Sequence, residues 1–298
     1  MKRVCVIGGG AMGNGIAHVF IQNGFEVHIC DINEDMLSKA RMTIEKNMDR
    51  QIKKEIISDT DKENALSKLH LSTDLSSSVS KAELVIEAAT ENLDIKKNIF
   101  QLVDQQSPED CILATNTSSI SITQLASFTS RPEMFIGMHF MNPVPVMKLI
   151  EVIRGYATKD EVVEEIIEIS HQLGKVPLAV NDYPGFVSNR ILMPMINEAI
   201  YSLFEGVAGV IEIDQIMELG MAHPMGPLKL ADFIGLDVCL SILKVLHEGF
   251  GNPKYAPCPL LVNMVAYGSL GVKTKLGFYD YRKNMKEPVI ADQFQTKR

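Results

Sequence analysis

The sequence predicts an α/β protein in which a parallel sheet is followed by a smaller all-helical domain, and three observations support this. Over the first half of the chain, short apolar runs alternate with helix-like segments, the pattern of βαβ units. The length of 298 residues exceeds that of a typical single domain. Helical patterns dominate after residue 183. We therefore predict an α/β domain over residues 1–183 and an all-α domain over residues 184–298.

The predicted elements follow from these patterns in chain order. Strand-length apolar runs occur at residues 4–7, 26–30, 84–86, 111–114, 134–138, 148–153 and 176–180. Helical periodicity between them covers residues 11–22, 34–57, 95–103 and 162–173. In the second domain the predicted helices are 186–204, 213–219, 227–231, 236–248 and 260–267. Pro194 lies inside the first of these and is expected to kink it.

The composition excludes several classes of protein. Apolar residues make up 46% of the chain and charged residues 22%, so a sizeable core can form and wholesale disorder is excluded. The chain has 29 basic and 37 acidic residues, and 29 − 37 gives a net charge of −8. This balance, without a long Lys/Arg run, argues against nucleic acid or an anionic membrane as the main partner.

The sequence also predicts the cellular location of the protein and the state of its cysteines. No apolar stretch approaches the ~20 residues that span a bilayer, and the start of the chain lacks the long apolar run of a signal peptide. The five cysteines form no CxxC pair, which indicates buried thiols in a reducing compartment. We therefore expect a cytoplasmic protein with no metal centre.

A glycine motif, GGGAMG, follows the first predicted strand and opens the first helix. Gly8 permits the tight turn, Gly10 lets a pyrophosphate approach the backbone, and Gly13 allows close packing of helix and strand. Asp31 ends the second strand, where a carboxylate can accept both ribose hydroxyls of NAD, and no Arg follows it to bind the phosphate of NADP. The alternatives are an ordinary βα loop and a helix N-cap. The combined context favours NAD.

A second set of candidates begins at His139, which follows a strand-like run. Histidine exchanges protons near neutral pH, as removal of hydride from an alcohol requires. Glu151, twelve residues on, lies on the next predicted strand and could orient the imidazole across a Pro-rich turn. The commoner fate of a lone histidine is a core residue bonded to a backbone carbonyl, and spacing alone leaves both interpretations open.

Polar residues at two further places could face a ligand. Residues 116–119 (NTSS) follow a predicted strand, at the edge where open α/β sheets bind ligands. Asn189 lies at the start of the helical domain. The alternatives are turn capping for the first group and a polar first-turn residue for the second.

A basic stripe lies on the long predicted helix 34–57. Apolar residues recur there at every fourth position, which predicts one buried face, at Met36, Ala40, Ile44, Met48, Ile52 and Ile56. Another face carries Lys46, Arg50, Lys53 and Lys54. Such charge runs are usually solvated surface. On an acidic protein this one also suits a phosphate-bearing ligand.

Taken together, these residues resemble the short-chain L-3-hydroxyacyl-CoA dehydrogenases, most closely the stand-alone bacterial 3-hydroxybutyryl-CoA dehydrogenases. The shared blocks span nearly the whole chain in the order of the family. They are VIGGGAMGNGIA (6–17), Asp31, VIEAATENLDIKK (85–97), ATNTSSISIT (114–123), GMHFMNPVPVMKLIEVI (137–153), PGFVSNRIL (184–192), HPMGPLKLADFIGLD (223–237) and GFYDY (277–281).

The resemblance implies roles for particular residues. The catalytic set would be His139 as general acid/base, Glu151 as its partner, Ser118 at the substrate oxygen and Asn189 at the substrate thioester. NAD would contact Gly8, Gly10, Ala11, Met12, Gly13, Asp31, Glu91, Lys96, Ser118, Asn142 and Lys273. The acyl-CoA substrate would contact Ser118, Asn47, Arg50 and Lys54. The chain departs from the family pattern at Asn47 (often Ser), Met141 (usually Phe), Lys275 and Leu276.

The reaction expected from the resemblance is reversible, NAD-dependent interconversion of (S)-3-hydroxyacyl-CoA and 3-ketoacyl-CoA, in fatty acid or butanoate metabolism. Relatives form homodimers through the helical domain, where residues 191–203 are a candidate surface. Three alternatives stay open: a gulonate-type dehydrogenase of free hydroxy acids, a non-catalytic nucleotide-binding protein, and a fragment of a multifunctional β-oxidation protein. The basic stripe argues against an enzyme of free hydroxy acids, and the retained catalytic set argues against a non-catalytic protein. For a fragment of a multifunctional protein, 298 residues leave no hydratase domain.

Overall fold

The computed structural model describes residues 1–295 of the chain. They divide into two compact units, Met1–Tyr183 and a second unit that begins at Pro184. All five cysteines are buried thiols. Among residues 1–295, no helix is both long enough and apolar enough to cross a membrane.

The first unit is built on one mixed sheet. Its strands are β1 (Arg3–Ile7), β2 (Glu26–Cys30), β3 (Leu69–Ser72), β4 (Leu84–Glu87), β5 (Ile112–Thr115), β6 (Phe135–Phe140), β7 (Leu149–Arg154) and β8 (Val176–Asn181). Their order is β3-β2-β1-β4-β5-β6-β7-β8. Neighbouring strands run parallel except β6 and β7, because the loop 141–148 is too short for the crossover that a parallel pair needs.

Helices pack on this sheet and bury its apolar side chains. They are α1 (Ala11–Gln22), α2 (Glu34–Ile52), α3 (Asp59–Leu66), α4 (Leu75–Val79), α5 (Leu93–Gln106), α6 (Ile122–Ala126) and α7 (Asp160–Gln172). The core includes Val6, Ile29 and Ile86 on the strands and Ile16 and Phe20 on α1. The predicted α/β class is confirmed. Strand β3 and helices α3, α4 and α6 were not predicted from the sequence.

The long helix predicted over residues 34–57 is wrong in its second half. Helix α2 ends at Ile52, and Glu55 has a φ of +57° in the turn that follows. Ser58 then begins α3 with a capping box, in which Ser58 and Asp61 satisfy each other's backbone N–H groups. Ile56 is consequently 61% exposed and is not part of the buried face, which consists of Leu37, Ala40, Ile44 and Met48.

The second unit is mainly helical. Its helices are α8 (Ser188–Phe204), α9 (Val210–Gln215), α10 (Pro227–Ile234), α11 (Leu236–Phe250) and α12 (Pro259–Tyr267), with one π turn at Ile216–Gly220. Pro194 lies within α8, as predicted. Two short strands, β9 (Tyr279–Asp280) and β10 (Val289–Ile290), add an antiparallel ribbon that the sequence analysis did not predict.

Two buried carboxylates connect the helices of this unit to its C-terminal segment. Asp232 of α10 accepts hydrogen bonds from the backbone N–H groups of Phe278 and Tyr279, at 3.0 and 2.9 Å, and from the Tyr281 hydroxyl. Asp214 accepts one from the Tyr279 hydroxyl at 2.7 Å. Burial, together with the nearby Asp214 charge, raises the pKa of Asp232 to about 7 despite these bonds. The segment after α12 is thereby fixed to α10.

Candidate active site

The glycine loop between β1 and α1 has the geometry that phosphate binding requires. Gly8 has a φ of +105°, and a Cβ there would lie 2.7 Å from the carbonyl oxygen of Ala88. A Cβ on Gly13 would lie 1.8 Å from the Gly8 carbonyl oxygen. In contrast, no atom of residues 1–295 outside the neighbouring backbone would lie within 4 Å of a Cβ on Gly10. The loop therefore leaves room for a ligand at Gly10.

The N-terminus of α1 faces this space with Ala11 and Met12 in its first turn. No acidic residue lies in that turn, and within residues 1–295 no side chain caps the helix at Gly10. Its first N–H groups therefore remain available to an anion. These features and the space at Gly10 fit the pyrophosphate of NAD.

Asp31 is held against the glycine loop. Its Oδ2 accepts a hydrogen bond of 2.7 Å from the Gly9 N–H, and its Oδ1 accepts a longer one from Asn33. The alternative interpretation of Asp31 as a helix cap is wrong, because Asn33 is the N-cap of α2 and accepts from the Asp35 N–H. The half-buried carboxylate is therefore positioned beside the phosphate site, where a ribose would follow.

A buried ion pair lies beneath the next two strand ends. Glu87, at the end of β4, is fully buried, and Lys96 of α5 is 1% exposed. Both oxygens of Glu87 accept from Lys96 Nζ at 2.7 Å, and Thr115 and the Ala89 N–H each donate another bond of 2.7 Å. A buried carboxylate is stable only with such a full set of partners.

Glu91 connects this pair to the loop after β5. Its Oε2 lies 3.4 Å from Lys96 Nζ, and its Oε1 accepts from the Thr117 hydroxyl and from the N–H groups of Ser118 and Ser119. Burial alone would raise the pKa of Glu91, but Lys96 and these hydrogen bonds outweigh it and hold the pKa below its usual range. The ionised carboxylate therefore fixes the backbone around Ser118.

His139 and Glu151 are direct partners across β6 and β7. The antiparallel register pairs the two residues, and His139 Nδ1 lies 2.8 Å from Glu151 Oε2. Both side chains are buried, at 7% and 3% exposed. The carboxylate selects the tautomer with the proton on Nδ1, so Nε2 is the nitrogen that can exchange a proton with a substrate.

The strand end that follows His139 is fixed to the Ser118 loop. Asn116 Oδ1 accepts a hydrogen bond of 2.9 Å from the backbone N–H of Phe140. Asn116 donates its own N–H to the Glu87 carbonyl oxygen at 2.7 Å. The carboxyl ends of β4, β5 and β6 are thus connected, each to the next. The predicted NAD-binding and catalytic residues of this unit lie at the end of the sheet where its parallel strands finish.

The loop 141–148, which carries Asn142, is anchored by Lys175. This lysine precedes β8, is 7% exposed, and donates to the carbonyl oxygens of Val144 at 2.6 Å and Met147 at 2.7 Å. Burial lowers its pKa. Gly15 of α1 allows the loop to pack closely, since a Cβ there would lie 2.9 Å from Val144 Cβ. Asn142 itself is exposed on this loop.

The predicted coenzyme A residues lie at the end of α2. Arg50 donates a hydrogen bond of 3.3 Å to Asn47, one turn earlier. Lys46 and Arg50 are exposed on the helix, as predicted. Lys53 and Lys54 lie in the turn after Ile52 and not on a helix face, because the helix has already ended. The basic stripe therefore continues from the helix onto its C-terminal turn.

Two predicted residues belong to the second unit. Asn189 lies in the first turn of α8 and is 8% exposed. Lys273 lies in a 3₁₀ turn and donates a hydrogen bond of 2.5 Å to Asp237 Oδ2. Their roles toward substrate and NAD stay predictions.

Two residues that organise the site, Glu87 and Lys175, were not predicted from the sequence. Glu87 had a detectable signal, since a carboxylate at the end of the apolar run 84–86 has to be paired in the fold. Lys175 had none, because its partners are backbone carbonyls about thirty residues earlier, and only the folded chain brings them together.

Comparison with known families and structures gives one consistent result. A family model described as 3-hydroxyacyl-CoA dehydrogenase, NAD binding domain, matches residues 3–183. A second, described as the C-terminal domain of 3-hydroxyacyl-CoA dehydrogenase, matches residues 185–281.

Individual relatives match over nearly full length. The 3-hydroxybutyryl-CoA dehydrogenase of Bradyrhizobium diazoefficiens is 52% identical over 95% of this chain and 96% of its own. A probable 3-hydroxybutyryl-CoA dehydrogenase of Deinococcus radiodurans is 53% identical over 93% and 99%. The crystal structure of (S)-3-hydroxybutyryl-CoA dehydrogenase from Ralstonia eutropha superposes with a TM-score of 0.92, at 49% identity, over 95% of this chain and 100% of that one.

Replacing Lys175 by Met should release the loop 141–148. The two carbonyl oxygens would lose their buried donor, which should lower the free energy of unfolding by about 1–3 kcal/mol and speed amide hydrogen exchange in the loop. Lys159→Met is the matched control, because Lys159 is exposed and its contact with Glu133 is a surface pair of 3.7 Å. Equal exchange rates in the two variants would contradict the anchoring role of Lys175.

Proposed function

We propose, since this chain belongs to the 3-hydroxyacyl-CoA dehydrogenase family, that its substrate pair is (S)-3-hydroxybutyryl-CoA and acetoacetyl-CoA and that His139 carries the proton. The activity is that of an NAD-dependent dehydrogenase. The observation that carries the proposal is the buried His139–Glu151 pair, beside strand ends that fit NAD. The choice of a four-carbon acyl group follows the names of the relatives.

The chemistry divides between cofactor and protein. The bound cofactor would supply a hydride to C3 of the acyl group as NADH, or accept one from it as NAD⁺. In the reducing direction His139 donates the Nε2 proton to the C3 oxygen, on which negative charge develops. In the oxidising direction it removes the proton from the C3 hydroxyl. Glu151 holds Nδ1, which keeps the imidazole in the required tautomer and stabilises its charged form.

Other residues position the reactants. We assign the Ser118 hydroxyl to the C3 oxygen of the substrate, because Glu91 fixes the Ser118 backbone and Glu91 is in turn held by Lys96. Lys96 is itself buried, so it acts through Glu91 and Glu87. Asn142 and the glycine loop with Asp31 would contact NAD from the same unit. Asn189 and Lys273 keep the roles that the family resemblance implies.

Coenzyme A is assigned to the basic stripe on α2 and its C-terminal turn. Lys46, Arg50, Lys53 and Lys54 are exposed there, and Asn47 is bonded to Arg50. A cluster of four cations within about two helical turns attracts the phosphates of the nucleotide end of coenzyme A, although the chain as a whole is acidic. Asn47 adds a polar group at the same place.

We further propose that the protein is a cytoplasmic homodimer associating through its second unit. This unit exposes large apolar side chains, among them Ile191, Phe204, Val207, Leu219 and Met221. A second copy would cover them. Sedimentation equilibrium should give a dimer that Ile191→Glu and Leu219→Glu together convert to a monomer, whereas Ile32→Glu, at an exposed apolar residue of the first unit, should not. A wild-type monomer at micromolar concentration would contradict this proposal.

Replacing His139 by Gln should remove the proton donor while preserving the shape of the site. The rate of NADH oxidation with acetoacetyl-CoA should fall roughly 10²–10⁴-fold, the usual contribution of a positioned acid/base, while NADH binding measured by fluorescence is retained. His171→Gln is the control, since His171 is exposed at the end of α7. Near-full turnover in His139→Gln would show the assignment of the proton donor to be wrong. If the wild-type enzyme reduced free acetoacetate as fast as acetoacetyl-CoA, the choice of substrate would be wrong.

Reversing the charge at Lys54 should weaken binding of the nucleotide part of the substrate. Lys54→Glu should raise KM for acetoacetyl-CoA much more than KM for acetoacetyl-pantetheine, which lacks the nucleotide phosphates, and should leave kcat nearly unchanged. Lys39→Glu is the matched control, because it makes the same charge change on α2. Lys39 lies about 16 Å of helix before Arg50, which is farther than the Debye length of about 10 Å. The same rise in KM for both substrates would exclude the stripe as the coenzyme A site.

A further inference from the structure

A second cluster of ligating side chains lies on the first unit, at the free edge of its sheet. Glu26 and His28 are two residues apart on β2, so both side chains point to the same face. His70 on the edge strand β3 is the register partner of His28. One ligating atom from each of the three residues lies within 4.8 Å of the other two. The fold thus brings the imidazole of His70 to a carboxylate and an imidazole that lie together on a strand much earlier in the sequence.

This cluster is separate from the dehydrogenase site. Glu26 is the first residue of β2, whereas Asp31 follows the last, and five residues of strand span about 16 Å. The cluster lines a surface cavity of about 340 Å³, bordered on another side by Ser77 and Ser78. The residues assigned to NAD and substrate do not line it. The dehydrogenase reaction therefore gives these side chains no role.

The geometry of the three side chains suits a small cation. The His28 and His70 rings stack with centroids 4.7 Å apart and an interplanar angle of 27°. His70 Nε2 lies only 3.5 Å from Glu26 Oε1, so the two ligands already converge without making a normal hydrogen bond. Glu26 and His70 are exposed and His28 is half-buried, which leaves the cluster open to an ion from solution.

The chemistry of the donor set selects the class of ion. Imidazole nitrogens favour Zn²⁺ and the neighbouring transition metals over Mg²⁺ or Ca²⁺, and two histidines with one carboxylate form a known three-ligand set for Zn²⁺. The fourth position would face the cavity and hold water. Arg3 and Lys81 also line the cavity, and Arg3 is paired with Glu83 at 3.6 Å.

We propose that Glu26, His28 and His70 bind a divalent transition-metal ion of the Zn²⁺ class, which clamps the edge strand β3 to β2. The segment between these strands contains α2 and α3, and with them the basic stripe. An ion that binds the paired strands and not the unfolded chain stabilises this arrangement by mass action. The site requires no nucleotide and no substrate.

Titration of the chelator-treated full-length protein with ZnCl₂ tests the proposal. Calorimetry should show one equivalent of Zn²⁺ bound, with a rise in Tm. The double variant His28→Asn/His70→Asn should lose both effects while keeping dehydrogenase activity, which reports that it is folded. Glu26→Gln, at an exposed side chain, should weaken binding about tenfold or more.

Two controls locate the bound ion. His171→Asn removes an exposed histidine elsewhere in the unit and should bind Zn²⁺ like the wild type. His139→Gln should also retain the equivalent, because the proposed site does not include the catalytic histidine. The proposal is overturned if wild-type protein binds no Zn²⁺, if the double variant binds it with unchanged affinity, or if the equivalent is lost in His139→Gln instead.

Discussion

The antiparallel pairing of β6 with β7 is the constraint on which the proposed chemistry depends. The eight-residue loop between the strands forces them to run antiparallel, and the register makes His139 and Glu151 direct partners. A shift of one residue would turn one of these side chains to the opposite face of the sheet and separate the pair. Lys175 and the close approach at Gly15 hold the loop that sets this register.

A buried ion pair orients the polar groups at the neighbouring strand ends. Glu87 and Lys96 are both removed from solvent, so each depends on the other, and loss of either would leave an uncompensated charge. Through Glu91 this pair fixes the loop that carries Ser118. Asn116 of the same loop accepts a hydrogen bond from the Phe140 N–H, which connects the loop to the strand of His139. The polar groups at this edge are therefore oriented before any ligand arrives, as electrostatic catalysis requires.

Local patterns were enough to predict much of the fold. Helix α1 has the predicted bounds, residues 11–22, because a glycine loop marks its start and a strand must follow it. The prediction for α2 was too long, since Ile52 and Ile56 continue the four-residue period past the true end. The capping signal at Ser58 and Asp61 was present in the sequence and marks the start of the next helix.

Contacts between distant segments were predictable only where chemistry implied them. A catalytic histidine implies an orienting carboxylate, so the His139–Glu151 pair could be expected from two strand-like runs. Lys175 and the Glu26–His28–His70 cluster depend on tertiary contacts that no local pattern signals. His70 in particular lies on β3, a strand that the sequence analysis did not predict, and its register with His28 appears only in the folded sheet.

The claim that His139 and Glu151 act as one unit is tested most directly by a double-mutant cycle on the rate of acetoacetyl-CoA reduction. His139→Gln, Glu151→Gln and the double variant would be compared with the wild type by kcat/KM, with NADH binding as a check of folding. If Glu151 acts only through the imidazole, the double variant should be no slower than His139→Gln alone. If the loss of kcat/KM in the double variant equals the product of the losses in the two single variants, the account is contradicted.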